Sequence, residues 1–100
     1  MEMYNPPHPG SIIKEALESI PMSVTAFAKH IGVSRVTLSR VLNERAGITP
    51  AMSLKISEAF GQGSSGIWFR MQTDYDFWQA SQVKRKKVRT LKGQALKIAA

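Results

Sequence analysis

The 100-residue chain contains no cysteine. That excludes a disulfide scaffold, a Cys-ligated zinc and thiol catalysis. Histidine is scarce as well: His8 and His30 are the only two, and neither lies at metal-ligand spacing with a second ligand. Each is expected to be a packing or surface side chain. No apolar run approaches the roughly 20 residues that cross a bilayer. Met1 to Pro6 lack the basic, apolar, small-residue order of a signal peptide. A cytoplasmic protein without a membrane partner is expected. No paired carboxylates mark a pocket, so neither enzyme chemistry nor a small-molecule cofactor is expected. Gly61-Gln62-Gly63-Ser64-Ser65-Gly66 matches G-x-G-x-x-G. No strand precedes it and no acid follows about 20 residues on, so it reads as a loop and not a nucleotide site.

What is abundant is positive charge: 14 Lys+Arg against 7 Asp+Glu, a formal +7. Its distribution matters more than its sum. Residues 1–83 hold seven cations and all seven acids, and are neutral. The surplus is Lys84, Arg85, Lys86, Lys87, Arg89, Lys92 and Lys97. Within the neutral part, residues 29–45 carry four cations and one acid, Glu44. A basic bias suggests a polyanion partner. Here it points to two separate basic elements.

The length fits one small domain. The first nine residues hold three prolines and no periodicity, so residues 1–10 read as an extended arm. A helix is expected from Ser11, with Ile12, Ile13, Ala16, Leu17 and Ile20 at helical spacing and Pro21 as its stop. Ser23 is an N-cap candidate for a second helix with the stripe Val24, Phe27, Ala28 and Ile31, closed by Gly32. Ser34 would cap a third, with Val33, Leu38, Val41 and Leu42 inward. Asn43 to Ile48 reads as a loop. Thr49-Pro50 is a cap followed by proline at the first helical position. Met52, Leu54, Ile56, Ala59 and Phe60 give the fourth helix its apolar positions, and Gly61 ends it. A fifth runs from Ile67 to about Gln82, with Trp68, Met71, Tyr75 and Trp78 on one stripe. Five helices with short connections predict an all-α bundle.

Ser23 to Asn43 is the informative segment. Two short helices flank Gly32-Val33-Ser34, and Ala28 allows a close crossing four residues before the glycine. This is the helix-turn-helix spacing, whose second helix enters the DNA major groove. A helical hairpin serving only as a protein–protein adaptor is the competing reading. At 3.6 residues per turn, Val36, Ser39, Arg40 and Asn43 point outward, flanked by Arg35 and Thr37. Arg35 and Arg40 could each place a fork on guanine, and Val36 or the Thr37 methyl could touch a thymine methyl. Arg35, Val36, Thr37, Ser39 and Arg40 are therefore the base-reading candidates. Ser23, Lys29, Ser34, Asn43 and Arg45 are the phosphate-contact candidates.

Five of the eight aromatics lie in the fifth helix. Trp68, Phe69, Tyr75, Phe77 and Trp78 form a candidate homodimer interface. Phe69 and Phe77 fall off the main stripe and need a second partner surface. Residues 11–83 thus read as a helix-turn-helix domain ending in a dimerisation helix. Residues 84–100 read as a basic, flexible tail. Such a run is a solvated end, or an arm that follows DNA phosphates.

The residues His8-Pro9-Gly10, Ile12-Ile13, Phe27-Ala28, Ile31-Gly32-Val33-Ser34, Ser39-Arg40, Leu42 and Ile48-Thr49 before Met52 and Leu54 resemble the HigA/VapI group of antidote proteins. That group lies within the lambda-repressor-like Xre/Cro superfamily. Trp68, Met71-Gln72, Tyr75-Asp76 and Trp78 match the group's ending. The resemblance covers roughly four-fifths of the chain. It implies a five-helix fold and an antitoxin that neutralises a small mRNA-endonuclease toxin. It also implies a dimer that represses its own operon on an inverted repeat in double-stranded operator DNA. A stand-alone repressor without a toxin is the other reading from the same fold. If the toxin is a small basic protein, like charges keep the tail away from it. Toxin is then expected to dock on the globular part. Three features depart from the group: Val24 where a phosphate-contacting Gln is usual, a Gly/Ser-rich connector in place of a Ser/Thr-Pro cap, and the basic tail.

Overall fold

The computed structural model describes residues 5–92. Residues 1–4 of the expected arm and 93–100 of the tail, Lys97 included, lie outside the described residues. The chain forms α1 (Pro9–Ser19), α2 (Val24–Ile31), α3 (Arg35–Leu42), α4 (Pro50–Ala59) and α5 (Ile67–Gln82). No strand occurs among the described residues. The all-α, five-helix, lambda-repressor-like architecture is the one expected.

Three helices start on the hydroxyl expected. Ser23 accepts from the Ala26 N–H, Ser34 from Thr37 and Thr49 from Met52. Each satisfies one amide that the helix leaves unpaired at its start. Gly32 ends α2 in the left-handed region at φ 76°, with the Val33 N–H reaching back to the Ala28 carbonyl at 3.0 Å. A side chain there would be strained, so glycine fits the turn between α2 and α3. The same closure ends α3, but its left-handed residue is Glu44 at φ 62°. The Glu44 N–H donates to Val41 and the Arg45 N–H to Arg40.

Helix α1 begins two residues before Ser11, a correction to the sequence reading. Pro9 occupies its first turn, and the His8 ring caps it by accepting the Gly10 N–H at 2.9 Å. His8 is buried and sets its ring edge-on to Tyr75 of α5, centroids 4.8 Å apart. Gly10 lies against the Val41 carbonyl; a Cβ on it would overlap that backbone. The first turn of α1 and the last turn of α3 are thereby in direct backbone contact.

Ile13, Leu17, Phe27, Ala28, Ile31, Leu38, Val41, Leu42, Ile48, Met52, Ile56 and Trp68 make one core. Phe60 joins α2 to α5, stacked on Phe27 at 5.4 Å and edge-on to Trp68 at 5.9 Å. Two expected apolar positions are exposed instead: Ile20 at 55% and Leu54 at 44%. Ile20 follows the end of α1. On α4 the buried polar positions flanking Leu54 and Ile56 are Ser53 and Ser57. The Ser53 hydroxyl accepts the Phe69 N–H at 3.1 Å. That bond replaces the side-chain cap that Gly66 cannot provide for α5. Ser57 donates to the Gly63 carbonyl and holds the connector. Gln72 of α5 accepts the Ile48 N–H through Oε1 at 2.9 Å, and its Nε2 donates to Asp76. Ser53, Ser57 and Gln72 are thus buried polar groups hydrogen-bonded to other elements.

Candidate nucleic-acid interface

Leu38, Val41 and Leu42 fix the roll of α3 by burying one side of it. The opposite side faces solvent. Val36 is 66% exposed, a large apolar side chain that this chain leaves in water. Arg35, Thr37 and Arg40 are exposed and Ser39 is half-buried beside them. All five base-reading candidates share this short helix, which carries no acid; Glu44 lies two residues past its end.

Hydrogen bonds within the site set where each group starts. Arg35 donates from Nε to the Thr25 hydroxyl at 3.0 Å, which ties α3 to the first turn of α2. Its two Nη groups have no hydrogen-bond partner among the described residues, so they are available for a planar acceptor. The Ser34 hydroxyl donates to Thr37 Oγ1 at 2.8 Å. That orients the Thr37 side chain and links both to the α3 cap. Arg40 lies across the loop after α3, its Nη2 donating to the Arg45 carbonyl at 3.3 Å. Asn43 donates to the Ser39 hydroxyl at 3.3 Å. Ser39, Arg40, Asn43 and Arg45 line one shallow depression. The structure therefore gathers two predicted base readers and two predicted phosphate contacts in one place.

The remaining phosphate candidates flank this face. Ser23 and Ser34 occupy the starts of α2 and α3, where unpaired N–H groups and the helix dipole favour an anion. Lys29 lies exposed in the last turn of α2. Thr25 was missed in the sequence reading; it holds Arg35 from a neighbouring helix, and a contact ten residues away leaves no local signal.

The five aromatics of α5 divide. Trp68 is 6% exposed and engaged inside its own chain, donating to Gln62 Oε1 at 2.8 Å. Tyr75 is half-buried on His8. Trp78 is half-buried, and its indole N–H is shielded without an acceptor among the described residues. Phe69 and Phe77 point away, at 38% and 75% exposure. At about 100° per residue, Phe77 lies half a turn from Trp68. Phe69 also lines a shallow apolar groove with Pro50 and Leu54. Of the five aromatics expected at an interface, Phe69 and Phe77 are the exposed ones, Tyr75 and Trp78 are half-buried and Trp68 is buried.

A capped pair of helices crossing at a left-handed glycine, with an exposed acid-free face on the second, defines a helix-turn-helix DNA-binding protein. The chain belongs to the helix-turn-helix family, whose model matches residues 13–66. It is 38% identical over 89 residues to virulence-associated protein A' of Dichelobacter nodosus, across 89% of this chain and 77% of that one. Among solved structures it is similar to an addiction module antidote protein of the HigA family from Coxiella burnetii. That match has a TM-score of 0.71 at 27% identity and covers 83% of this chain and all of the other. It is also similar to the Pseudomonas aeruginosa antitoxin HigA solved with the higBA promoter. There the TM-score is 0.70 at 29% identity, over 75% of this chain and 82% of the other. The HigA/VapI resemblance read from the sequence is borne out. No described helix is long and apolar enough to cross a membrane.

Proposed function

We propose that this protein is the antitoxin of a toxin–antitoxin pair, and that its dimer binds an inverted repeat and represses its own operon. The observation that carries the DNA half is the exposed, acid-free face of α3. There Val36 is left in solvent beside Arg35, Thr37, Ser39 and Arg40. The arginines reach guanine edges, and Val36 with the Thr37 methyl meets a thymine methyl. Ser23, Lys29, Ser34, Asn43 and Arg45 hold phosphates around the groove. Phe69 and Phe77 form the self-association surface. The paired α3 helices enter successive major grooves about 34–36 Å apart.

Likeness to HigA-type proteins supports the toxin half. The partner is a small basic mRNA endonuclease that docks on the globular domain. Expressing the short reading frame beside this gene, with and without this chain, tests it. Growth arrest relieved by this chain, with the two proteins co-purifying, is the expected result. Operator binding without any effect on a neighbouring product would instead make the protein a stand-alone repressor.

A further inference from the structure

The body of the molecule and its C-terminal extension differ in charge. Residues 1–83 are neutral, whereas the nine residues 84–92 carry six cations and no acid. Every one of these nine is exposed and none is in a helix. The described chain measures 56 × 27 × 27 Å, with a radius of gyration of 17.4 Å. A compact domain of this length has a radius near 13 Å, so the extension does not fold back onto the body. Nine extended residues reach at most about 30 Å, roughly nine base pairs along a duplex at 3.4 Å each.

We propose that residues 84–92 are a second, sequence-independent nucleic-acid contact, an arm that lies along the phosphate backbone of duplex DNA outside the segment read by α3. The proposal rests on the reading of α3 as a DNA-binding helix. Lys84, Arg85, Lys86 and Lys87 are consecutive, so in an extended chain their side chains alternate sides and cannot all face one wall of a groove. Such an array follows a backbone of repeating charge rather than a single pocket. No aromatic lies in the segment, and Val88 and Leu91 are its only large apolar side chains. It lacks the apolar face with which an interfacial helix enters a lipid surface. Because the body has no net charge, the arm supplies the long-range attraction that brings the protein to DNA.

The test uses the full chain and a variant in which Lys84, Arg85, Lys86, Lys87, Arg89 and Lys92 are all changed to Gln. All six lie outside the core, and circular dichroism checks that the variant is folded. Binding to a fluorescent random-sequence 30-base-pair duplex is measured by anisotropy from low to moderate salt. Each phosphate contact contributes roughly 0.9 to the log–log salt slope. The native chain should show a slope at least three units steeper than the variant, and at least tenfold tighter binding at low salt. Arg40→Ala should leave that difference in place, because the arm does not read bases. Equal slopes, or no binding of the random duplex by the native chain, would overturn the proposal. Arm-dependent binding to vesicles containing phosphatidylserine, with no arm dependence on DNA, would overturn it in favour of a membrane. A specific operator shift that survives the six substitutions while the slopes coincide would sink the arm alone. Loss of operator binding through Arg40→Ala would bear on α3 alone.

Discussion

The Ser53 hydroxyl accepts the Phe69 backbone N–H at 3.1 Å, so α4 caps α5. Both ends of this bond lie where the fourth helix meets the helix carrying the proposed self-association surface. Ser53 is 2% exposed, and water cannot readily replace it. Ser53→Ala should lower unfolding stability by about 1–2 kcal/mol, the range for losing a cap or leaving a buried donor unpaired. Ser65 bonds the Ile67 N–H at a more exposed position, and Ser65→Ala should cost about 0.5 kcal/mol. Urea denaturation of the two variants checks the order.

Glu44, two residues past the last residue of α3, has φ 62°. A non-glycine residue in that region carries a penalty of about 1 kcal/mol. Glu44→Gly should therefore raise stability by up to that amount, whereas Glu44→Ala should not. Comparison of the two denaturation midpoints separates relief of backbone strain from removal of the charge.

Gln72 joins α5 to the loop before α4 through the Ile48 N–H. Gln72→Leu keeps the bulk and removes the acceptor. The cost should be about 1–3 kcal/mol, because the Ile48 amide is then buried without a partner. A loss well below 1 kcal/mol in thermal or urea unfolding would show that water takes the place of the amide.

Phe77 is 75% exposed on the side of α5 opposite Trp68. If a second copy covers it, Phe77→Glu should shift sedimentation from dimer to monomer while leaving the monomer fold intact. A native chain already monomeric at micromolar concentration would remove the dimer from the account.

Much of the architecture was legible because its signals are local. Ser23, Ser34 and Thr49 each bond an amide three residues on. Pro50 and Gly32 act through their own backbone angles. The exposed side of α3 follows from where Leu38, Val41 and Leu42 are buried. What was missed depends on other elements. His8 as a cap depends on a ring that Tyr75 covers, and histidine is not a usual capping residue. Leu54 was expected in the core, but α4 turns the hydroxyls of Ser53 and Ser57 toward α5 and the connector. Trp68 was read with the other aromatics of α5 as an outward surface, but it is buried in its own chain; periodicity marks aromatic stripes without showing which stripe the chain itself covers. On the exposed face of α3, the residue types were readable and their restraints were not: the Thr25 bond to Arg35 and the Arg45 carbonyl on Arg40 cross from one element to another.

The central claim is that the exposed face of α3 reads DNA, and Arg40 gives it a sharp test. The measurement is anisotropy of the native chain and Arg40→Ala on a duplex from upstream of the gene and on a random duplex. Native protein should prefer the upstream duplex, and Arg40→Ala should lose about 1–3 kcal/mol on it alone. Equal loss on both duplexes would make Arg40 a phosphate contact, and no preference by the native chain for the upstream duplex would contradict the account.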